Sequence, residues 1–131
     1  MGIYVAVIGV VKFKDKIILL KRTLSRRTSP GKWQVVSGTL EAGEAAEDCV
    51  LREVKEETGL EGKIEKSGKI FECKDSWGNW IIIPFSVFVN SDKVKIEPKE
   101  HTEYRWVLPR DYVKFDCVEG TKEDLESVGV L

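Results

Sequence analysis

The chain has 131 residues, of which 42% are hydrophobic and 33% are charged, and its formal net charge at pH 7 is −1. This composition excludes an intrinsically disordered chain, and the length is sufficient for one domain with its own core. The near-zero net charge argues against the broad positive field with which proteins bind duplex DNA or a membrane surface. We therefore predict a single domain over residues 1–131 that meets any nucleotide through a local patch.

The first part of the chain predicts three β-strands. β-branched residues dominate 3–13, the tripeptide KDK at 14–16 suits a tight turn, and further strands are expected at 17–21 and 33–37. The apolar run near the N-terminus is shorter than the roughly 20 residues that cross a bilayer, and it has no basic start. We therefore expect a buried strand instead of an anchor or a signal peptide, and a cytoplasmic protein.

Residues 45–58 predict a helix with an unusual acidic face. Glu53, Glu56 and Glu57 stand at i, i+3 and i+4, where like charges destabilise a helix by roughly 0.2–0.5 kcal/mol per pair. A solvated surface helix is the simpler interpretation, but such helices usually place Lys or Arg four residues after Glu. Carboxylates concentrated in this way suit a hard divalent cation. Gly59 should end the helix in the left-handed conformation.

The second half predicts three further strands and two short helical segments. Strands are expected at 64–73 and 80–89, joined by the turn KDSWGN, and a third at 103–107. A helical turn at 109–113 and a helix at 122–128 follow. Strands before and after a central helix predict a sheet covered on both faces.

The cysteines and the single histidine show no metal-binding spacing. Cys49, Cys73 and Cys117 are widely separated, so we expect buried free thiols, and a disulfide between the last two is left open. His101 is expected to be an ordinary loop residue.

Residues 38–60 read GTLEAGEAAEDCVLREVKEETGL. This stretch matches, at every defined position, the signature of the Nudix (MutT-like) hydrolase superfamily, which the chain therefore resembles. The segments PGKW at 30–33 and EYRWV at 103–107 are similar to the family's flanking segments. The resemblance implies an α/β (α+β) fold, the Nudix-type α/β/α sandwich, with a mixed β-sheet and the signature as a loop–helix–loop. It also implies a Mg²⁺-dependent pyrophosphohydrolase, with Mn²⁺ as the other candidate cofactor, that cleaves a nucleoside diphosphate linked to another moiety.

The resemblance implies roles for residues within the signature. Glu56 and Glu57 correspond to metal ligands, and Glu53 to the residue that binds metal or activates the attacking water. Arg52 corresponds to the residue that orients Glu53. Glu44 corresponds to a supporting carboxylate.

Further ligands are expected outside the helix. The family often has Pro-Gly-Gly where this chain has Val-Ser-Gly at 36–38, and the backbone carbonyl of Ser37 can take the place of a metal-binding glycine carbonyl. A carboxylate from a later loop often completes the metal site in this family. Glu100 is the first candidate, Glu103 the second and Glu97 the third.

A basic segment before the signature is the candidate phosphate-binding element. Arg22, Arg26 and Arg27 can hold phosphates through bidentate hydrogen bonds, although each could also be a solvated loop residue. We expect replacement of Arg26 and Arg27 to raise KM and to leave metal affinity unchanged. Trp77, in a polar turn, is a candidate to stack on a nucleobase, with packing onto the sheet as the alternative.

The sequence does not choose one substrate or one function class. A nucleotide-sugar, ADP-ribose or a nucleoside triphosphate fits, whereas a dinucleoside polyphosphate is less favoured because the chain lacks a Pro-Lys-Gly-type stretch before the signature. The alternative function is a non-catalytic, nucleotide-sensing Nudix domain. An isoprenoid-diphosphate isomerase is disfavoured because such enzymes have a catalytic cysteine ahead of the signature. We expect neither duplex DNA nor a membrane as partner, and a homodimer stays open.

Overall fold

The structure is a computed structural model that describes residues 2–75 and 77–131, so Ser76 of the predicted KDSWGN turn lies outside the described residues. Eight strands in these ranges form one sheet. They are β1 (Gly2–Phe13), β2 (Lys16–Arg22), β3 (Trp33–Gln34), β4 (Val36–Thr39), β5 (Gly62–Ser67), β6 (Phe71–Asp75), β7 (Gly78–Val89) and β8 (His101–Val107). The helices are α1 (Ala46–Thr58), a 3-10 helix (Pro109–Lys114) and α2 (Thr121–Ser127).

Strand β1 lies at the centre of the sheet. It runs parallel to β7 along nearly its whole length and antiparallel to β4 and to the start of β2. Beyond β2 the sheet continues to β3 and β8, and beyond β7 it continues to β5 and β6, all antiparallel. The sheet is therefore mixed, as predicted.

Neighbouring residues of β1 point into two different hydrophobic cores. Val7 belongs to the core that contains Val50 and Val54 of α1, whereas Ile8 belongs to the core that contains Leu125 of α2. This alternation follows from the two-residue period of a strand, and each fully buried side chain of this kind contributes roughly 1.5–3 kcal/mol. The predicted sandwich, a sheet between helices, is confirmed. No helix in the described part of the chain is both long and apolar enough to cross a membrane.

Helix α1 ends as predicted. Gly59 has a φ of 75°, and its N–H donates to the carbonyl of Lys55 at 2.9 Å. Leu60 then packs into the same core as Val54. The cap and the apolar face together fix α1 against the sheet, so its acidic residues have a defined position.

The prediction of one strand at 64–73 is wrong, because two strands, β5 and β6, are separated by a turn. Gly68 N–H donates to the carbonyl of Pro84 at 2.8 Å, and Lys69 N–H donates to the carbonyl of Ser127 at 3.1 Å. Between β5 and β6 the backbone thus turns away from the sheet and contacts the end of α2. Both strands pair with β7, one before the turn and one after it.

The predicted strand at 33–37 is also divided. Residues 33–34 pair with β2, and residues 36–39 pair with β1, so the chain changes partner strand at Val35. His101, predicted to be a loop residue, is instead the first residue of β8, opposite Arg22 and fully buried. The other strands and helices agree with their predicted bounds to within two residues at each end.

The three cysteines are free. Cys49, a residue of α1, is buried as predicted, but Cys73 is exposed and Cys117 is only partly buried. The prediction of buried thiols is therefore wrong for Cys73, and Cys73 and Cys117 do not form a disulfide.

Replacing Gly68 by Ala tests the contact between the turn and α2. A Cβ atom at this position would collide with the backbone carbonyl of Ser127, which has little freedom to move. We expect the free energy of unfolding to fall by about 1–3 kcal/mol, measured by urea denaturation. The control is Gly2→Ala, whose Cβ would lie 3.6 Å from the Tyr4 ring, an ordinary contact. Equal unfolding midpoints for the two variants would contradict the prediction.

Candidate functional site

Glu53 and Glu57 lie one helical turn apart on α1, and both are buried or nearly so. Their side chains are 14% and 3% exposed. Glu53 approaches Gly38 of β4 so closely that a Cβ atom there would collide with the carboxyl group. Ser37 precedes this glycine and pairs with Ile8 of β1. Pairing with the central strand β1 therefore fixes the part of β4 against which Glu53 packs.

The two buried carboxyl groups lie close enough for each to shift the pKa of the other. Burial is the main reason that the pKa of Glu57 lies well above 4.5, and the neighbouring Glu53 raises it further. Burial also raises the pKa of Glu53. Within the described residues, Oε1 of Glu57 has no hydrogen-bond partner. A buried acceptor in this state costs roughly 1–3 kcal/mol, which a bound cation would offset.

Arg52 connects three glutamates through one guanidinium group. Nε and Nη2 donate to the two carboxylate oxygens of Glu44 at 2.8 and 3.1 Å. Nη1 donates to Oε1 of Glu53 at 2.8 Å and to Oε1 of Glu56 at 3.2 Å. The hydrogen bonds from Arg52 lower the pKa of Glu44 to about 2, and the pKa of Arg52 is raised in return. Glu44 thus holds Arg52, and Arg52 holds Glu53.

Glu56 stands apart from the buried pair. Its side chain is 57% exposed and contacts Arg52. Across residues 2–75 and 77–131, no three His, Cys, Asp or Glu side chains are gathered as a metal site would need. The structure therefore brings together only two of the three carboxylates of the acidic face, and Glu56 would have to turn away from Arg52 to join them.

Glu100 is the carboxylate outside α1 that faces this pair. It lies just before β8, and its negative charge contributes to the raised pKa of Glu57. Its N–H donates to the carbonyl of Glu97 at 3.0 Å, which closes the turn. Glu103 lies within β8, and its carboxylate is 3.4 Å from Nζ of Lys21 on the neighbouring strand. Of these two candidates, Glu100 is the one whose charge is found to act on Glu57.

A buried hydrogen-bond chain that the sequence analysis missed runs from Arg22 through Gln34 to His101, whose ring lies beside Glu57. Arg22 donates to Oε1 of Gln34 at 2.6 Å, and Nε2 of Gln34 lies 3.1 Å from Nε2 of His101. Because Arg22 engages the amide oxygen, the amide NH₂ must donate, and His101 accepts at Nε2. That nitrogen is 3.9 Å from Oε1 of Glu57. Burial, assisted by nearby arginine charges, lowers the pKa of His101 to about 4, so its ring is neutral at pH 7.

Arg22 has a second set of contacts in the same loop. Its Nε and Nη2 donate to the carbonyl of Thr28 at 3.1 and 2.8 Å. These hydrogen bonds hold the loop closed. Arg22, which was predicted to bind phosphate, therefore uses these donors to support the loop. Residues 16–22 read KIILLKR, and residues 17–20 are all buried, so the strand has no period-2 alternation that would have indicated the burial of Arg22.

An open cleft of about 970 Å³ lies beside this chain of hydrogen bonds. Arg22, Thr28 and Gln34 line one part, and Trp77 and Trp80 line another. Trp77 is 57% exposed, so the structure does not pack it onto the sheet. The volume falls in the range of roughly 300–1,000 Å³ that is usual for small-molecule sites.

The remaining two candidates lie in the same basic loop. Arg26 extends toward the buried pair, with Nη1 at 3.8 Å from Oε2 of Glu100. Arg27, its neighbour, is exposed.

Glu57→Gln tests the electrostatic state of the pair. Because the folded protein raises the pKa of Glu57 above 4.5, it holds a proton that the unfolded chain releases. The stabilisation that protonated Glu57 contributes is therefore fully present below pH 4.5, and it is lost as pH rises through the folded-state pKa of this group. At about pH 8 in EDTA, we expect the variant to be more stable than wild type. Its free energy of unfolding should be higher by roughly 1–3 kcal/mol, which is the usual cost of an unsatisfied buried group.

Urea unfolding of both proteins at about pH 5 and about pH 8 measures this difference. His101 gives the opposite slope between pH 4 and 6.5, because its pKa is lowered from 6.5, so the two proteins are compared at each pH. Glu56→Gln, at an exposed position of the same helix, is the control. An equal pH dependence for wild type and Glu57→Gln would contradict the assigned state.

Comparison with known proteins agrees with the geometry. A family model described as the NUDIX domain matches residues 2–125. The nucleoside triphosphatase NudI of Escherichia fergusonii is 26% identical over 124 residues, which cover 87% of this chain and 88% of that protein. An ADP-ribose pyrophosphatase of Methanocaldococcus jannaschii is 34% identical over 93 residues, which cover 70% of this chain and 54% of that protein. The crystal structure of a MutT protein from Methanosarcina mazei Go1 matches with a TM-score of 0.81 at 27% identity, over 94% of this chain and 89% of that one.

The matched region contains the whole acidic signature and the strands on both sides of it. The buried carboxylates, the arginine that connects them and the sheet that carries them are therefore parts of one domain type. The chain belongs to the NUDIX domain family and is a Nudix hydrolase, an enzyme that acts on phosphoric anhydride bonds.

Proposed function

We propose that the chain is a Mg²⁺- or Mn²⁺-dependent pyrophosphohydrolase that cleaves a nucleoside diphosphate linked to another moiety. The observation that carries this proposal is the buried pair of Glu53 and Glu57, in which Oε1 of Glu57 lacks a donor within the described residues. Two carboxyl groups in contact cannot both ionise without a compensating charge, and a divalent cation supplies it. The pair therefore fits the cation that the family implies.

The proposed ligands are all oxygen atoms: the carboxylates of Glu53, Glu56, Glu57 and Glu100 and the backbone carbonyl of Ser37. Hard cations such as Mg²⁺ and Mn²⁺ prefer such ligands, and the nearby neutral ring of His101 adds no competing charge. When bound, the cation neutralises diphosphate charge and lowers the pKa of water.

Arg52 and Glu44 are proposed to position the catalytic carboxylate. Arg52 occupies one oxygen of Glu53 at 2.8 Å, which leaves the other oxygen to take the proton of the attacking water. The raised pKa of Glu53 suits this role, because a general base works best when its pKa is near the working pH. Glu44 fixes the guanidinium through two hydrogen bonds, so it acts through Arg52 and not on the substrate.

The cleft is the proposed binding place of the nucleoside part of the substrate. Its lining includes neither Arg26 nor Arg27 and none of the proposed carboxylate ligands, so the proposal places the phosphates beyond its Arg22 end. Its length extends from the loop that carries Thr28 to the turn that carries Trp77. We propose that Arg26 and Arg27 contact the phosphates and that the exposed indole of Trp77 stacks on the base. ADP-ribose, a nucleotide-sugar and a nucleoside triphosphate share this nucleoside diphosphate core. The cytoplasmic location and the oligomeric state stay predictions.

The test is a product-release assay with ADP-ribose, nucleotide-sugars and nucleoside triphosphates, with Mg²⁺ or Mn²⁺ supplied. We expect turnover of at least one class, and Glu53→Gln should lower kcat by roughly 10²–10⁴-fold while the protein stays folded, because the variant keeps the side-chain shape and loses the base. Glu61→Gln is the matched control, since that exposed carboxylate pairs only with Lys55 at the helix end within the described residues.

Two results would contradict the proposal. Near-native kcat in Glu53→Gln would show that another group takes the proton. Tight binding of ADP-ribose without turnover of any substrate would favour the nucleotide-sensing alternative.

A further inference from the structure

The guanidinium group of Arg26 lies beside the carboxylates that are proposed to hold the metal. Its Nη1 is 3.8 Å from Oε2 of Glu100. Its positive charge acts to lower the pKa of Glu57 and also lowers that of the neighbouring His101. Nη1 is buried and, among the described residues, has no hydrogen-bond partner. The group is therefore attracted to the carboxylates without a well-formed hydrogen bond.

The backbone of the basic loop is fixed, whereas the Arg26 side chain is not. Thr23 N–H donates to the carbonyl of Glu100 at 3.1 Å, and Arg22 holds the carbonyl of Thr28. The Arg26 side chain is 33% exposed. Rotation of the side chain can therefore carry the charge between Glu100 and the solvent without moving the loop.

We propose that Arg26 is the resident counter-ion of the acidic site in the metal-free enzyme, and that it moves to the substrate diphosphate when a divalent cation binds. The inference rests on the proposed function, because it takes Glu57 and Glu100 as ligands of that cation. It goes beyond that function because it assigns Arg26 two alternative partners, the carboxylates and the substrate, and because it makes Arg26 compete with the metal for the carboxylates.

Charge and distance favour this exchange. A charge-assisted hydrogen bond is usually about 2.7–2.9 Å long, so the 3.8 Å contact between Arg26 and Glu100 is weak and easily broken. A divalent cation on the same carboxylates repels the positively charged guanidinium. The two phosphate groups of a bound substrate offer the bidentate partner that Glu100 does not.

The proposal reverses the expectation from sequence that metal affinity is independent of this loop. Removing the Arg26 charge should tighten metal binding, because the cation no longer has to displace it. By the same linkage, metal binding frees Arg26 for the substrate, so the two binding steps support each other.

The experiment measures Mn²⁺ and Mg²⁺ binding to the full-length, EDTA-treated protein without substrate, by calorimetry and by the metal dependence of the melting temperature. We expect Arg26→Gln to tighten metal binding by about two- to fivefold, the size of a partly exposed ion pair. Arg26→Lys, which keeps the charge, should stay near wild type. Arg27→Gln makes the same charge change at the exposed neighbour and should leave metal affinity unchanged.

A second measurement tests the contact of Arg26 with the substrate diphosphate. With the substrate that the release assay identifies, Arg26→Gln should raise KM at saturating metal, although its metal affinity is higher than that of wild type. A residue that only supports the loop would not give opposite effects on metal and substrate.

The outcomes separate the two proposals. If wild type binds neither cation and turns over no substrate, the proposed function fails. If wild type binds metal but Arg26→Gln has equal or weaker metal affinity, the exchange is overturned and the function stands. An equal gain in Arg27→Gln would mean a general effect of loop charge, which also overturns the exchange.

Discussion

Burial of two neighbouring carboxyl groups on α1 is the constraint on which this site depends. Glu53 reaches its position because Gly38 has no side chain, and it is held there by the guanidinium of Arg52. Glu57 is more deeply buried and keeps one oxygen without a donor within the described residues. Such a pair is stable only with a proton or a cation between its members, and this requirement links the folding energy of the protein to its metal chemistry.

The opposite side of the same helix provides the stability that the acidic side lacks. Val50 and Val54 are fully buried against the sheet, and Gly59 ends α1 so that Leu60 returns to the same core. Each buried aliphatic side chain contributes roughly 1.5–3 kcal/mol, which exceeds the repulsion between like charges one turn apart. The helix can therefore present destabilised carboxylates without losing its place on the sheet.

Pairing of β2 with β8 brings the basic loop that follows β2 next to the carboxylates that are proposed to bind metal. The register places Arg22 opposite His101, and a backbone hydrogen bond from Thr23 to Glu100 fixes the loop base beside the proposed ligand. The proposed phosphate-binding and metal-binding groups thus share one scaffold, although they are far apart in sequence. The contact of Arg26 with Glu100 follows from this pairing, and it is the basis of the proposed coupling between metal and substrate binding.

The sequence by itself determined the family, the sandwich and the acidic face of α1, because helical spacing and the signature are local properties of residues 38–60. It did not show that Glu57 is buried while Glu56 is exposed, since that depends on which part of the helix surface is covered by the rest of the fold. It also misplaced His101. This residue is buried because it pairs with Arg22 of β2, which lies 79 residues earlier in the sequence. The break in the predicted strand at 64–73 was decided by contact between Gly68 and the end of α2. Such long-range contacts leave no spacing in the sequence, and only the tertiary structure could supply them.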